Sequence, residues 1–457
     1  MLHVKVIILG ATSMGECIAR ALSQKEYDVI LVDSDQKHLT EIARELEISP
    51  LLLESHSPQF FLELAALKPD LLIAARDVDE MNLVSCALAK NSGILKTAAL
   101  IQTSSYLNPS QIDLSRLFYV DHFLGEDVFL AHNLYKRLSH IDDLGFAHFA
   151  HGAVWMRTIK IPTSWKLKGK SLQELKWPET LVAGLIRRGN AVLFPRGSDC
   201  ILPGDEVTLL GEAKIMGASL EELFNLPIKK AKSTLIAGGG ESTLHLARLL
   251  LKQHVSVRII EKNEERCRKL SELLPDAIIL CEDSTDFDFL REEGIEQVDA
   301  FVANELDDAK NLLLGSIAVS LHCKKVIAST RKLELFPIFE KMGIHPVTSS
   351  RLEIINRILS ILHQKTFLSI GSLSNDVAKI VELKIPSTSK WAGSSIAEIS
   401  QHLPRESLVG VIENHGRVMI GKGDSILCPD DRVIALCSPH QLDQLRAVFG
   451  SSNVPLG

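Results

Sequence analysis

The chain has 457 residues, 46% of them hydrophobic and 23% charged, a composition that excludes a disordered or low-complexity protein. Its 50 Lys and Arg against 57 Asp and Glu give a net charge of −7, which argues against broad nucleic-acid binding, since phosphate needs a basic face. No run approaches the roughly 20 apolar residues of a membrane span, and at about 150 residues per domain the length alone predicts about three domains.

Met1-Leu2-His3-Val4-Lys5 runs straight into a strand, without the charged region and cleavage site of a signal peptide, so none is expected. Apolar runs at 4–9, 29–32, 51–53, 71–75 and 98–101 predict strands, and helical spacing over Met14 to Ser23 and Gln36 to Leu46 predicts helices between them. Such alternation belongs to a parallel sheet with crossover helices. An amphipathic helix is predicted over Gly125 to Ile141. Short strands at 157–161, 181–186 and 206–210, separated by Gly, Pro and Asp turns, then predict a small α+β module. Leu226-Pro227-Ile228-Lys229-Lys230 is the expected join to the rest of the chain, with Lys229, Lys230 and Lys232 a solvated linker.

Beyond that join the same order recurs. Strands are predicted at 234–237, 257–260, 277–281, 299–303 and 325–329, and a helix over Ser350 to Gln364 with Ile354, Ile355, Ile358, Leu359, Ile361 and Leu362 apolar. Strands at 380–385, 408–412 and 432–436 close the series. Gly238 stands 228 residues after Gly10, and Glu261 stands 228 after Asp33. Asp79-Glu80 with Asn82 is echoed by Asp307-Asp308 with Asn311. Ile159-Lys160-Ile161-Pro162 returns as Leu383-Lys384-Ile385-Pro386, with Gly169 matching Gly393, and Pro203-Gly204-Asp205 returns as Pro429-Asp430-Asp431. The chain is a tandem duplication, and each half has two parts, so four domains replace the three expected from length.

The glycine turns carry the chemistry. A strand, G-x-G-x-x-G and a helix bind a dinucleotide because the first Gly makes the turn and the second admits the pyrophosphate. The third packs helix on strand, and the helix N-terminus offers orphan N–H groups. An acid ending the next strand takes ribose hydroxyls. The first copy is Gly10-Ala11-Thr12-Ser13-Met14-Gly15 with Asp33; the second is Gly238-Gly239-Gly240-Glu241-Ser242-Thr243 with Glu261. Thr12 replaces the second glycine, where a side chain threatens phosphate approach, and Thr243 replaces the third, which affects packing. Asp33 and Glu261 would repel a 2′-phosphate, so NAD or an adenosine nucleotide is favoured over NADP.

No catalytic constellation accompanies these turns. His148 and His151 read as a solvated connection, and Asp205 and Asp431 as turn-closing side chains. Asp283 and Ser284 either face the ribose and phosphate or cap a loop. Cys17, Cys86, Cys200, Cys267, Cys281, Cys323, Cys428 and Cys437 form no C-x-x-C and sit mostly in apolar runs, which reads as a reducing, cytoplasmic setting. No His or Cys spacing suits a metal, and none is expected. An NAD-dependent oxidoreductase and a ligand-free interaction scaffold stand as alternatives to a nucleotide sensor.

On these residues the chain resembles the TrkA family, the cytoplasmic regulatory subunits of bacterial Trk potassium uptake systems, over nearly its whole length. The resemblance implies an α/β fold of two Rossmann-like parallel-sheet RCK N-lobes, each followed by a small α+β RCK C-lobe. Their expected limits are 1–124, 125–225 with its crossover helix, 232–349, and 350–450 with its crossover helix. It implies no catalysis, NAD(H) or ATP/ADP as regulatory ligand, and docking onto an integral membrane potassium-translocating subunit of the TrkH/TrkG type. It also implies a homo-oligomeric ring, a tetramer, peripheral to the inner face of the cell membrane. Carried over by position, the phosphate loops are Gly10 to Met14 and Gly238 to Ser242, the ribose acids Asp33 and Glu261, and the loop after the fourth strand Ala75-Arg76 and Asn304-Glu305. Glu54-Ser55-His56-Ser57 and Glu282-Asp283-Ser284 lack the family's glycine after the third strand. Leu100-Ile101-Gln102 lacks the basic residue that Arg331 supplies in the second half, so the first site is expected to be the weaker.

Overall fold

The computed structural model describes residues 4–25, 27–53, 57–107, 112–139, 145–175, 178, 181–189, 191–226, 230–362, 367–373, 378–387, 389–414 and 416–449. The chain forms two compact units, Met1–Tyr135 with Lys232–Leu362, and Lys136–Ala231 with His363–Gly457.

The first unit opens with a parallel six-stranded sheet. It comprises β1 (Lys5–Leu9), β2 (Asp28–Asp33), β3 (Ser49–Leu52), β4 (Leu71–Ala74), β5 (Thr97–Ile101) and β6 (His122–Gly125), in the order β3-β2-β1-β4-β5-β6. This is the doubly wound arrangement, whose switch point lies between β1 and β4, outside their carboxyl ends. Alternate residues of β1 feed opposite layers, as a strand's period of two requires. Val6 and Ile8 pack with Ile18 and Leu22 of the helix Ser13–Ser23, while Ile7 and Leu9 pack with Phe60, Phe61 and Leu83 on the other face.

The chain then enters the second unit as an antiparallel five-stranded sheet. Its strands are β7 (Gly145–Phe149), β8 (Val154–Lys160), β9 (Leu181–Arg188), β10 (Ala191–Leu193) and β11 (Glu206–Glu212), in the order β10-β9-β11-β8-β7. His148 lies within β7, which pairs along β8 as an edge strand, so this segment is a strand rather than a connection.

Back in the first unit, the second half repeats the parallel design. Its sheet comprises β12 (Ser233–Ala237), β13 (Ser256–Ile260), β14 (Ile278–Leu280), β15 (Ala300–Ala303), β16 (Val326–Ser329) and β17 (Val347–Thr348), in the order β14-β13-β12-β15-β16-β17. The sixth strands, β6 and β17, are not predicted from the sequence because each is short and runs directly into an amphipathic helix. Gly125 therefore ends a strand, and the helix begins at Glu126 and runs to Leu138.

The helix Ser350–Leu362 of the second half does not close over its own sheet. Its Ile354, Ile358 and Ile361 are buried in the core of the first, beside Val6, Ile8 and Ile18. Ser350 Oγ donates to Glu126 Oε1 at 2.6 Å, and Asn133 Nδ2 donates to Glu353 Oε1, so the two crossover helices are also tied to each other.

A second antiparallel five-stranded sheet completes the second unit. It comprises β18 (Phe367–Leu373), β19 (Ala378–Lys384), β20 (Ser407–Asn414), β21 (Arg417–Ile420) and β22 (Arg432–Cys437), in the order β18-β19-β22-β20-β21. The two antiparallel sheets share one core, in which Val154, Met156, Leu185 and Leu210 meet Ile380, Val411, Ile434 and Leu436.

Asp205 and Asp431 close their turns. Asp205 Oδ2 accepts from the Leu202 N–H at 2.8 Å and both its oxygens take the Arg188 fork, while Asp431 Oδ2 accepts from the Cys428 N–H at 2.7 Å. All eight cysteines are free, and among the described residues no helix is long and apolar enough to cross a membrane.

Ile358, fully buried on the core of the other half, tests the exchanged helix. Ile358→Ala should lower unfolding stability by about 2–5 kcal/mol, read from the shift of a urea midpoint. A shift below about 0.5 kcal/mol would place the helix outside that core.

Candidate functional site

Each glycine turn leaves the carboxyl end of the central strand and meets the loop after the fourth strand. Gly10 has φ of +113° and Gly238 of +101°, a region that side chains disfavour. A Cβ at Gly10 would stand 2.8 Å from the Ala75 carbonyl oxygen, and one at Gly238 would stand 2.4 Å from that of Asn304. The glycines are thus required by a close backbone approach, independently of any ligand.

The acids sit beneath the turns in the same way in both halves. The Ala11 N–H donates to Asp33 Oδ2 at 2.6 Å and the Asp35 N–H to Oδ1 at 3.0 Å. The Gly239 N–H donates to Glu261 Oε2 at 2.9 Å and the Asn263 N–H to Oε1 at 2.7 Å. Each carboxylate oxygen keeps a further lone pair for a hydroxyl. Burial pushes the Asp33 carboxyl up, but the N–H groups of Ala11, Asp35 and Ser34 and the charge of Arg76 outweigh it and hold it below the ordinary range. A second side chain holds each turn from the helix after the acid: His38 Nε2 hydrogen-bonds the Ala11 carbonyl at 3.1 Å, and Arg266 Nε donates to the Gly239 carbonyl at 2.5 Å.

Thr12 has a structural part of its own. It is the N-cap of the helix Ser13–Ser23, its Oγ1 accepting from the Gly15 N–H at 3.1 Å and donating to the Ala75 carbonyl at 2.7 Å. At the matching Gly240 a Cβ would meet only Ser242 Oγ, at 4.0 Å, and no side chain caps the helix Glu241–Leu251 there. The tie that Thr12 makes in the first half is made in the second by Asn304, whose Nδ2 donates to Ser242 Oγ and Thr243 Oγ1. Thr243, at the third glycine position, is fully buried.

The repeated Asp and Asn pairs hold the two loops that face the turns. Buried Asn82 accepts from the Arg76 N–H at 2.9 Å and donates to the Arg76 and Leu100 carbonyls; buried Asn311 does the same for Glu305 and Ser329. Asp79 takes the N–H groups of Gln102 and Thr103, and Asp308 those of Arg331 and Lys332. Their role as loop clasps explains why they recur, which the bare repeat did not.

The loops differ in charge. Arg76 stands where the second half has Glu305, and Glu305 Oε1 takes Ser284 Oγ at 2.8 Å and Lys310 Nζ at 2.7 Å. Asp283 is a loop cap: Lys262 Nζ pairs with it at 2.8 Å, Thr285 donates N–H and hydroxyl, and these hold its carboxyl well below the ordinary range. Ser284 is buried against Glu305 rather than turned toward a ligand. Glu54, Ser55 and His56 lie outside the described residues, and Ser57 caps the helix Pro58–Ala66.

Family comparison agrees with this architecture. The TrkA-N domain model matches residues 6–117 and 234–350, and the TrkA-C domain model matches 156–225 and 380–450, together well over half of the chain. The chain belongs to the TrkA family. A Methanosarcina mazei protein described as Trk system potassium uptake protein TrkA homolog 1 is 31% identical over 456 residues, covering 97% of this chain and 100% of its own length. The Vibrio alginolyticus Trk system potassium uptake protein TrkA is 27% identical over 458 residues, covering 98% of this TrkA-family chain and 99% of its own. The crystal structure of the GsuK RCK domain shares the fold with a TM-score of 0.60 at 18% identity, over 98% of this chain and 95% of that one. A structure of the GsuK channel bound to NAD does so with a TM-score of 0.60 at 18% identity, over 98% and 79%.

Two further residues reach the turns from the opposite half, and nothing in the sequence patterns marked them. Arg351 Nη2 donates to Ser13 Oγ at 2.7 Å. Asp127, on the helix Glu126–Leu138, stands beside Ser242 and Glu241. Burial and the neighbouring Glu126 and Glu241 push its carboxyl up, against the opposing pull of nearby Ser242. A carboxyl raised in the folded chain costs stability once the pH passes its ordinary range. Asp127→Asn should therefore melt higher than the parent at neutral pH, with the difference vanishing below roughly pH 4. Equal melting temperatures at both pH values would contradict it.

Proposed function

We propose that this chain is the nucleotide-sensing regulatory subunit of a Trk-type potassium uptake system, controlling transport without catalysing a reaction. The observation that carries the reading is the cradle built twice: a glycine turn at a helix N-terminus, at the switch point of a doubly wound sheet, with a ribose-type acid bonded beneath it. Family membership supports the potassium-uptake role, and the NAD-bound channel of the same fold supports NAD(H) as a ligand, with ATP/ADP the alternative that the family resemblance implies.

In this reading Asp33 and Glu261 accept the ribose hydroxyls and repel a 2′-phosphate. The N–H groups of Thr12, Ser13 and Met14, and of Gly240, Glu241 and Ser242, meet phosphate at the helix N-termini. The chain works in the cytoplasm and reaches the inner face of the membrane by docking onto an integral potassium-translocating subunit of the TrkH/TrkG type. Several copies assemble as a homo-oligomeric ring, a tetramer, whose shape the nucleotide shifts. A ligand moves such an equilibrium only by its differential affinity for the two shapes, and about 2 kcal/mol suffices for a change of some thirtyfold.

Calorimetric titration of the full chain with NADH, NAD, ATP and ADP tests this. At least one should bind, and Asp33→Ala should weaken binding at the first turn by about tenfold or more, the loss of a charged hydrogen-bond acceptor. Absence of binding by all four would overturn the proposal.

A further inference from the structure

The two turns match in backbone and acid, yet the residues delivered to them across the duplication are opposite in charge. Arg351 stands 224 residues after Asp127, and Ser350 stands 224 after Glu126, so the two are the same position in the two copies. The helix Ser350–Leu362 packs on the core of the first half and brings Arg351 to Ser13, the first residue of the helix that leaves the first glycine turn. Arg351 also lines a cavity of about 390 Å³ with Arg331, Lys332 and Leu335, whose acids, Asp307 and Asp308, are each engaged with backbone N–H groups. Every one of these residues belongs to the second half.

At the second turn the corresponding place is taken by Asp127. Its carboxyl stands beside Ser242, in the first turn of the helix Glu241–Leu251. An acid of the chain itself thus stands where a phosphate would approach, while Glu241 and Glu305 at this turn are paired with Arg266 and Lys310.

We propose that the first glycine turn is the polyphosphate-binding site and that the second half completes it, Arg351 contacting the phosphates of a nucleoside di- or triphosphate held at Gly10 to Met14. This rests on the nucleotide-sensing function proposed for the chain. It reverses the ranking that Thr12 suggested, and it gives the ligand a physical means of coupling the halves, because the group that grips its phosphates is fixed to a helix of the other copy. Planar guanidinium suits the task, since it offers a phosphate two parallel donors.

The test is calorimetric titration of the full chain and of Arg351→Gln with ATP, ADP and adenosine. The expected result is a loss of roughly tenfold or more for ATP and ADP in the variant, the effect of one charge-assisted hydrogen bond, with adenosine binding within about twofold of the parent. Arg351→Lys should recover part of the lost ATP affinity. ATP binding unchanged in Arg351→Gln would overturn the inference while leaving nucleotide sensing intact, and so would an equal loss for ATP and adenosine, which marks a purely structural role. If the Gln variant does not melt cooperatively, Arg351→Met is read by the same criteria. A parent chain that binds none of the three ligands removes the functional reading itself.

Discussion

The approach of each glycine turn to the carbonyl after the fourth strand is the constraint on which the rest depends. Gly10 against Ala75, and Gly238 against Asn304, bring the turn and the neighbouring loop together at the switch point of each sheet. Once that contact is made, the turn's next N–H falls on the acid at the end of the adjoining strand, and the following helix starts with its donors facing the crevice. Buried Asn82 and Asn311 then fix the opposing loops by backbone bonds alone.

The second organising feature is exchange between copies. A helix from the second half completes a hydrophobic core of the first, and its leading residues meet the other crossover helix through Ser350 and Glu126. Two Rossmann-like sheets in one compact unit are therefore not two independent binding modules. The helix that brings Arg351 to the first turn belongs to the other copy. The antiparallel sheets of the other unit share a core by the same logic, with glycines 184 and 410 leaving room for Leu210 and Leu436.

Much of this was legible in the sequence, because it is written in local patterns. The strand runs and glycine turns, and the acids 23 residues beyond the first glycines, appear where expected, and the offset of 228 between copies places equivalent atoms in equivalent contacts, as at His38 and Arg266. Short strands without a turn of their own, β6 and β17, were not legible, nor were the edge strands β7 and β18, whose neighbours identify them only in the folded sheet. The capping role of Thr12 was not legible because position alone does not say which way a hydroxyl turns; its bonds to Ala75 and Gly15 do. Arg351 acts on a residue 338 positions away, a contact with no periodicity to betray it, and only the exchanged helix reveals it.

The most direct measurement is an experimental structure of the full chain with ATP bound. The account predicts nucleotide density at Gly10 to Gly15, with ribose hydroxyls on Asp33, phosphates at the N-terminus of the helix Ser13–Ser23, and Arg351 against them. Density confined to Gly238 to Thr243, or lying away from both turns, would contradict it.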